Sequence, residues 1–410
     1  MTDKLWIVSE LYYPEVTSTG YILTEIAEGL AAEDLSISVL CSQPSYSARG
    51  LRAPAKENRN NVIIHRIWGI TLDKDIFFFR LINLITITFS VFVSSLWHFK
   101  RFDIVLVVTN PPSLPFFVSF ACWLRRANCV LLIHDIYPDL LVAVGKLRST
   151  SVVVRLLNKL NKILYMSVNY IVVIGRDMQA KIVNRLLDNK KKVKVITNWA
   201  DVNIIFPTIK EQNSLLRKLC LQDMFVVEYA GNIGYPNDIE SIIESASRLI
   251  NKYDIHFLFI GSGAKKRWLE EEVARRKLSN VTIMPSRPRH DQINFLNACD
   301  IAIVSLVQGM RGISVPSRIY NILAAGKPII AIADLNSELD LVIKEENIGW
   351  VVQPGEVDEL EKVILEAKNN PDLLVQMGKR ARRTAEIKYS FELVKRAYAK
   401  LVFSIYEEAK

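Results

Sequence analysis

The stretch Met310–Ile330, MRGISVPSRIYNILAAGKPII, indicates the architecture of the second half of this chain. It reads as a polar loop, the beginning of a helix, and a small-residue run that leads into an apolar strand. Gly326 suits the left-handed position after a helix end, because it has no Cβ. A loop, a helix and a buried strand in this order are typical of an α/β domain.

The beginning of this helix is a candidate anion site. Val315, Pro316 and Ser317 place a proline where a first turn accepts it, and a hydroxyl beside unpaired N–H groups. These donors and the helix dipole attract anions, and Arg311 and Arg318 add positive charge. The segment therefore predicts a phosphate site.

Outward from this stretch, apolar runs alternate with helical patterns along the whole chain, which predicts two successive α/β domains with parallel sheets. The pattern restarts after Trp199, and Pro207 with polar residues interrupts it over Asn198–Gln212. We expect a first domain over 1–197, a second over 198–388 and a final helical segment over 389–410. The predicted strands are Leu5–Val8, Ser36–Cys41, Val62–Trp68, Ile104–Val108, Cys129–Ile133, Tyr170–Ile174, Lys194–Ile196, Phe225–Ala230, His256–Ile260, Val281–Met284, Ile301–Ser305, Ile329–Ile332 and Gly349–Val352. The predicted helices include Gly20–Ala32, Ser151–Met166, Asp238–Tyr253, Lys265–Lys277 and Phe391–Ala409.

Composition and charge narrow the class of protein. Of the 410 residues, 50% are hydrophobic and 23% are charged, which favours a globular protein with large cores. The net charge of +9 favours anionic partners. The basic residues are scattered in short groups, so we expect no nucleic-acid partner.

The five cysteines and five histidines show no metal-ligand spacing, so we expect no bound metal and no disulfide framework. Leu5–Val8 follows the first residues without a signal-peptide pattern, so we expect a cytoplasmic protein.

Ile76–Trp97, IFFFRLINLITITFSVFVSSLW, is long enough to be tested as a membrane span. Three interpretations stay open: a helix buried against a sheet, a helix lying in the plane of a membrane surface, and a true span. Arg80 and Asn83 argue against the span. Phe77–Phe79 beside Lys74 and Arg80 favours the second interpretation, because aromatic and basic side chains suit the headgroup region.

Two loops of the first domain carry polar groups. Thr17, Thr19 and Gly20 offer hydroxyls and a close backbone at a helix start, which suits a phosphate or a sugar, although an ordinary capped turn is the alternative. No nicotinamide or ATP fingerprint occurs there. His134 and Asp135 end a predicted strand, where active-site residues of α/β sheets lie. Asp135 can orient the imidazole, and the alternative is a histidine that caps the next helix.

Glycine-containing turns follow the first two predicted strands of the second domain. Asn232 and Gly234 lie in one turn, and Gly261, Gly263 and Lys265 lie in the other. Such turns let a phosphate approach the backbone, but turns need glycine in any case.

A cation for the phosphate must come from outside the first of these turns, where Tyr235–Asp238 contains none. Arg318, Lys265 and Arg311 are the candidates. We favour Arg318, because a guanidinium binds two phosphate oxygens at once.

These motifs, in this order, resemble the retaining glycosyltransferases of family 4. That family has two glutamates separated by seven residues and then a small-residue run that ends in Gly-x-Pro. Ala324–Pro328 matches the run, whereas Ile313 and Asn321 stand at the glutamate positions. Val-Pro-Ser-Arg at 315–318 is similar to the subgroup that builds bacterial surface polysaccharides, of the WcaI and WbuB type. The HepE-type enzymes of envelope polysaccharide synthesis are a further alternative, which no single residue decides.

The resemblance implies a GT-B fold in the α/β class, with two Rossmann-like doubly wound domains facing a cleft and a C-terminal helix crossing back to the first. It implies a retaining transferase that moves a hexose from a UDP-sugar, such as UDP-glucose or UDP-N-acetylhexosamine, to a lipid-linked oligosaccharide. We expect such an enzyme on the cytoplasmic face of the inner membrane, in exopolysaccharide or O-antigen synthesis, working without metal or cofactor.

The resemblance also assigns residue roles. His134 and Arg318 are the expected catalytic residues, beside the transferred sugar and at the pyrophosphate. The expected donor-binding residues are Thr19, Gly20, Asn232, Gly234, Gly261, Gly263, Lys265, Arg287, Pro288, Ser314, Val315, Pro316, Ser317 and Asn321. The expected sugar-binding residues are Asp135, Arg311, Gly312 and Ile313.

Two rival functions stay open at this point. A GT-B nucleotide-sugar epimerase would act on the donor alone and needs catalytic carboxylates that the sequence does not reveal. A degenerate, non-catalytic module would only bind the sugar nucleotide, and Ile313 and Asn321 in place of glutamates favour it.

Overall fold

The computed structural model describes residues 4–33, 35–44, 52–69, 77–186 and 192–408, and of residues 77, 78, 80 and 81 only the backbone. The chain separates into two compact units. The first unit contains Met1–Pro138, Thr150–Thr197 and Val394–Lys410, and the second contains Asp139–Ser149 and Asn198–Leu393. The last helix therefore belongs to the first unit from Val394 onward, as the GT-B resemblance implies.

The first unit is built on one sheet. Its described strands are β1 (Leu5–Val8), β2 (Ile37–Ser42), β3 (Lys56–Arg59), β4 (Val62–Ile67), β5 (Ile104–Val108), β6 (Asn128–Ile133), β7 (Tyr170–Val173) and β8 (Val193–Val195). The strand order is β3-β4-β2-β1-β5-β6-β7-β8, with neighbours parallel except for β3 and β4. Strands β1 and β5 are wholly buried, which explains their continuous apolar sequences.

The second unit is built on a parallel sheet. Its described strands are β9 (Phe225–Asn232), β10 (Ile255–Ser262), β11 (Val281–Met284), β12 (Ile301–Ser305), β13 (Ile329–Ile332) and β14 (Gly349–Val352). The strand order is β11-β10-β9-β12-β13-β14. The order reverses between β9 and β12, and ligands of such sheets bind outside the carboxyl ends of the strands at this point.

Helices connect the strands of both sheets, and three more follow the last strand. They are α1 (Ser18–Ala31), α2 (Phe77–His98), α3 (Leu114–Arg125), α4 (Asp139–Ala143), α5 (Val152–Ser167), α6 (Arg176–Arg185), α7 (Ser214–Leu219), α8 (Ile239–Arg248), α9 (Lys266–Arg276), α10 (Gln292–Phe295), α11 (Arg318–Ala324), α12 (Glu338–Glu346), α13 (Val357–Asn369), α14 (Pro371–Lys388) and α15 (Phe391–Glu408). Helix α8 shows how these elements form a core. It begins after Asp238, whose side chain accepts the N–H of Ser241 at 3.0 Å, and it buries Ile239, Ile242 and Ile243 in the sheet's main apolar cluster. Each such side chain contributes about 1.5–3 kcal/mol of burial free energy.

Most predicted elements occur, and their ends differ by one or two residues. Helix α8 differs more, because it ends at Arg248 and not at Tyr253. Strand β3 was not predicted, because Lys-Glu-Asn-Arg shows no apolar alternation. It forms at the sheet edge by antiparallel pairing with β4, and Arg59 forms an ion pair with Glu28 at 2.7 Å.

The helix in Met310–Ile330 begins later than its sequence indicates. Helix α11 starts at Arg318, and the side chain of Ser317 makes no capping hydrogen bond. The expected capping hydroxyl and the proline in the first turn are therefore wrong. The expected left-handed Gly326 is confirmed at φ +63°. The N–H of Gly326 donates to Leu323 O at 2.9 Å and that of Lys327 to Ile322 O at 3.3 Å, which completes a Schellman motif.

Helix α2 covers most of the apolar segment Ile76–Trp97, while Ile76 and Lys74 lie outside the described residues. One face of α2 is buried at Ile87 and Val91, and another exposes Phe89 and Trp97. Within the described ranges, no helix is long and apolar enough to cross a membrane. The in-plane interpretation stays a prediction.

Candidate active site

The last residues of β9 and β10 and the loops that follow them approach each other so closely that they require glycine. A Cβ at Gly261 would lie 1.9 Å from Gly231 O, and a Cβ at Gly263 would lie 2.4 Å from Ile233 O. Gly263 also has φ +151°, which side chains disfavour. The predicted donor turn is thus a place of close backbone approach at the carboxyl edge of the sheet.

Asn237, which the sequence did not single out, connects the polar groups at this edge. It is buried, and its Oδ1 accepts from Arg318 Nη2 at 2.6 Å. Its Nδ2 donates to Asn232 O at 2.9 Å, and its backbone oxygen accepts from Lys265 Nζ at 3.0 Å. The side chain and the backbone oxygen of Asn237 together therefore connect Arg318, Lys265 and Asn232. We call Gly231, Asn237, Lys265 and Arg318 the donor edge.

The guanidinium of Arg318 lies against the backbone of Gly231 and over the ring of Tyr229. A Cβ at position 231 would be 2.8 Å from Nη1, and Cζ is 4.7 Å from the ring centroid. Nη1 is buried and has no hydrogen-bond partner among the residues that the structure describes. A buried polar group without a partner costs roughly 1–3 kcal/mol, so this atom favours an anionic ligand.

Lys265 is a weaker phosphate candidate than Arg318. Its Nζ pairs with Glu240 Oε2 at 2.8 Å, and its backbone N–H donates to Ile233 O at 2.9 Å. The carboxylate of Glu240 offsets part of the charge that an anion would meet. Gly234 lies in the loop after β9, where a Cβ would be 2.7 Å from Asn232 Nδ2.

The loop after β12 holds three of the predicted sugar-binding residues. Asp334, which follows β13, accepts the N–H of Gly309 at 3.1 Å and of Arg311 at 2.9 Å. Gly312 adopts φ +69°, and Ile313 is buried. Asp334 thus fixes the loop, and its role could not be recognised from sequence spacing. Contacts of these residues with a sugar stay predictions.

Ser314, Val315, Pro316 and Ser317 link this loop to Arg318 at the first turn of α11. Val315 is buried, whereas the other three are half-buried. Their predicted donor contacts stay predictions, and the helix itself places Arg318 at the edge of the sheet.

Asn321 hydrogen-bonds another residue of the second unit, Asp201. It is buried, and its Oδ1 accepts the backbone N–H of Asp201 at 3.0 Å. Asp201 Oδ2 in turn forms an ion pair with Arg289 at 2.8 Å. The carboxylate of Asp201 therefore lies beside Asn321, although Asp201 comes 120 positions earlier in the sequence. The predicted contact of Asn321 with the donor stays a prediction.

The loop after β11 contains two of the predicted donor-binding residues, Arg287 and Pro288. Arg287 forms an ion pair with Asp291, so its charge is largely offset. Pro288 is extended and precedes the 3₁₀ turn Arg289–Asp291. Ser286 Oγ hydrogen-bonds Ser262 Oγ at 2.8 Å, which links this loop to the one after β10.

At the corresponding edge of the first unit, the loop after β1 forms a capped helix start. Thr17 Oγ1 accepts the N–H of Gly20 at 3.2 Å, and Thr19 lies within this first turn. A Cβ at Gly20 would be 2.7 Å from Glu15 O, so the loop is tightly closed. The geometry is that of the ordinary capped turn, and a ligand contact stays a prediction.

His134 follows β6 at the same edge. Its Nε2 is inaccessible to solvent and has no hydrogen-bond partner in the described part of the chain. Burial lowers the pKa of His134 to about 4, so the ring is uncharged at neutral pH. An uncharged imidazole can donate or accept a hydrogen bond to a sugar hydroxyl. Orientation of this ring by Asp135 stays a prediction.

The structure thus brings Asn232, Gly261, Gly263, Lys265 and Arg318 together at the donor edge of the second unit. Thr19, Gly20, His134 and Asp135 follow strands of the first unit's sheet. The residues that the structure describes include no group of three or more His, Cys, Asp or Glu side chains that could hold a metal ion.

Two family models match the chain. The model described as "Glycosyltransferase Family 4" matches residues 20–204, and the model described as "Glycosyl transferases group 1" matches residues 217–384. The "probable glycosyltransferase WbjE" of Pseudomonas aeruginosa is 31% identical over 377 residues, with 88% of each chain covered. The "putative colanic acid biosynthesis glycosyl transferase WcaI" of Escherichia coli strain K12 is 24% identical, with 89% of this chain and 92% of WcaI covered.

Solved structures show a corresponding likeness. Anabaena HepE in complex with UDP and glucose has a TM-score of 0.74 to this chain at 14% identity, with 98% of this chain and all of HepE covered. At 14% sequence identity, this structural similarity shows that the two proteins share a fold.

Proposed function

This chain belongs to glycosyltransferase family 4, and from this premise we propose that it transfers a sugar from a UDP-linked donor to a lipid-linked oligosaccharide. The observation that carries the donor half of the proposal is Arg318 Nη1, which is buried at the donor edge without a partner among the described residues. The diphosphate of a nucleotide sugar supplies oxygens for such a donor. HepE, which shares the fold, has been crystallised with UDP and glucose, which favours a uridine donor.

We propose a retaining transfer in which the acceptor hydroxyl attacks the face that the diphosphate leaves. The bond between the anomeric carbon and the β-phosphate oxygen breaks, and the acceptor oxygen bonds to that carbon. The acceptor proton passes to the leaving diphosphate. Arg318 stabilises the negative charge on the diphosphate, and His134, uncharged at neutral pH, hydrogen-bonds the transferred sugar.

The proposed acceptor and pathway rest on the relatives. One curated relative carries a name that refers to colanic acid biosynthesis, a polysaccharide pathway. We propose that this enzyme serves polysaccharide synthesis in the same way, peripherally on the cytoplasmic face of the membrane that holds a lipid-linked acceptor. Metal independence is part of the proposal.

Both matched models describe glycosyltransferases, so no observation favours the epimerase alternative. A degenerate binding module would bind the sugar nucleotide without turning it over, whereas an enzyme would consume it. We therefore propose incubating the full chain with labelled UDP-glucose and UDP-N-acetylhexosamines, with and without lipid extracts that contain undecaprenyl-linked sugars. The expected result is label in the lipid fraction together with release of UDP. Binding of UDP-sugars without turnover on any acceptor would favour the module, and release of a free epimerised sugar would favour the epimerase.

A further inference from the structure

Helices α2, α3 and α5 of the first unit expose large apolar side chains. Trp97 is 82% exposed, Trp123 71% and Ile163 64%. We call the surface marked by Phe89, Trp97, Phe120, Trp123, Leu156 and Ile163 the outer face. Extended apolar surface of this kind marks an interaction site on a folded protein.

The outer face is continuous over the three helices. Helix α3 packs against both α2 and α5. Phe92 of α2 stacks on Phe120 of α3 at 5.8 Å between ring centroids, and Phe120 stacks on Trp123 at 5.8 Å. The exposed aromatic side chains of α2 and α3 therefore form one surface, and α5 is the helix that lies next to it.

Each of these helices also has a buried side, so the outer face is not part of the core. Helix α2 buries Ile87 and Val91, and α5 buries Val154 and Leu164. The exposed residues of α5 lie on a different side of the helix, with Val152, Leu156 and Leu160 at intervals of four.

The charge on this surface has one sign. The sequences of α2, α3 and α5 contain no Asp or Glu. Helix α5 exposes Arg155, Lys159 and Lys162 at intervals of four and three, which places them in a stripe beside its apolar residues. Along the described chain, these three side chains form no ion pair. A basic stripe next to an apolar stripe is typical of a helix that lies in a membrane interface.

We propose that the outer face docks on an anionic lipid bilayer, with α5 lying in the interface. The basic stripe contacts lipid phosphates, the apolar stripe enters the acyl boundary, and Trp97 and Trp123 lie at headgroup depth. This inference rests on the proposed function, because a lipid-linked acceptor lies in that bilayer. Charge of one sign over three helices favours this occupant over a second copy of the chain, whose identical basic stripe would repel.

The test is sedimentation of the full chain with vesicles of phosphatidylcholine alone and of phosphatidylcholine mixed with phosphatidylglycerol. The charge variant combines Arg155→Gln, Lys159→Gln and Lys162→Gln. The matched control combines Arg267→Gln, Lys344→Gln and Lys362→Gln, which removes the same charge from exposed positions of the second unit. We expect the charge variant to bind mixed vesicles about 100-fold more weakly than the wild type. The control should bind like the wild type.

An apolar variant with Leu156→Ser and Ile163→Ser tests the other half of the surface. We expect about 10-fold weaker vesicle binding for each side chain removed, with an unchanged thermal midpoint because both residues are exposed.

Equal binding by the charge variant and its control would overturn the proposal. Loss of a concentration-dependent dimer in the apolar variant, without vesicle binding by the wild type, would overturn it in favour of a second copy. Release of UDP from a UDP-sugar in detergent tests the transferase separately, so failure of one proposal is distinguishable from failure of the other.

Discussion

The donor edge and the outer face depart from the usual burial pattern in opposite ways. At the donor edge, the Nη1 atom of the charged side chain of Arg318 is buried and has no partner among the described residues. On the outer face, large apolar groups such as Trp97 and Trp123 are exposed. Buried polar groups are normally paired, and contiguous apolar surface is normally covered. We therefore infer that each surface has a partner of its own chemistry, an anion at the donor edge and lipid at the outer face.

The largest expected effect comes from a second buried, unpartnered polar atom, Nε2 of His134. We expect His134→Ala to lower turnover about 100-fold, because a positioned hydrogen bond to the transferred sugar is lost, while UDP affinity changes little. Steady-state rates beside calorimetric UDP titrations measure this split. Because burial lowers the pKa of His134 to about 4, its titration should not shape the rate profile between pH 6 and 8. His134→Asn, which keeps a donor, should recover part of the rate. Normal turnover by His134→Ala would refute the role.

Arg318→Ala tests the proposed contact between the donor edge and the diphosphate. We expect UDP to bind about 10- to 100-fold more weakly, because a charge-assisted hydrogen bond to phosphate is removed. Isothermal titration with UDP measures the change. Arg267→Ala, at an exposed position on α9, serves as the control for loss of one charge. Unchanged UDP affinity in Arg318→Ala would exclude the phosphate role.

Gly231→Ala tests whether the position of the Arg318 guanidinium matters, because its charge is kept. The added Cβ would lie 2.8 Å from Arg318 Nη1, so the guanidinium must move. We expect UDP affinity to fall about 5-fold, which corresponds to part of one hydrogen bond. Gly355→Ala is the matched control, because Gly355 also has positive φ but a Cβ there meets nothing within 4 Å. Equal UDP affinities in the two variants would show that the position of Arg318 does not matter.

Glu228 tests whether burial without a partner is by itself a mark of function. Glu228 belongs to β9 and is buried, and neither oxygen of its carboxyl group has a partner among the described residues. Burial raises the pKa of Glu228 well above its ordinary value, and Lys327 opposes this only in part. The folded state therefore holds the proton more tightly than the unfolded state, so stability falls as the pH rises above the ordinary glutamate pKa.

We expect Glu228→Gln to remove this pH dependence and to raise the free energy of unfolding at pH 8 by about 1–3 kcal/mol. Turnover should not change. Urea unfolding at a series of pH values measures the effect. An unfolding free energy with the same pH dependence in both proteins would contradict the assignment. A loss of turnover in the stable variant would place Glu228 in the mechanism.

Much of the fold could be predicted from local patterns. The buried strands β1, β5, β12 and β13 are short apolar runs between turn signals, and the family and GT-B fold are confirmed. The left-handed backbone conformation of Gly326 could be predicted, because the local sequence alone determines how a helix of this kind ends. Strand β3 could not be predicted, because pairing with β4 stabilises it and its own sequence does not.

The candidate site was less accessible to sequence reasoning, because its connections are long-range. The contacts of Asn237 with Arg318 and of Asn321 with Asp201 span 81 and 120 positions, and no spacing rule encodes them. Asp238 before α8 carried a usable signal, an acidic residue ahead of an apolar helical pattern. The outer face illustrates the same limit. Hydropathy shows that α5 and α8 each have an apolar stripe, but only tertiary packing determines that the stripe of α8 is covered.

The most direct test of the account is a thermal-shift comparison of the wild type and Arg318→Ala with UDP, GDP, ADP and CDP. A ligand that binds only the folded state raises the unfolding midpoint by mass action. We expect a larger rise of the midpoint with UDP than with the other diphosphates in the wild type, and loss of most of that rise in Arg318→Ala. No rise with UDP, or an equal rise in both proteins, would contradict the claim that the donor edge holds a uridine diphosphate through Arg318.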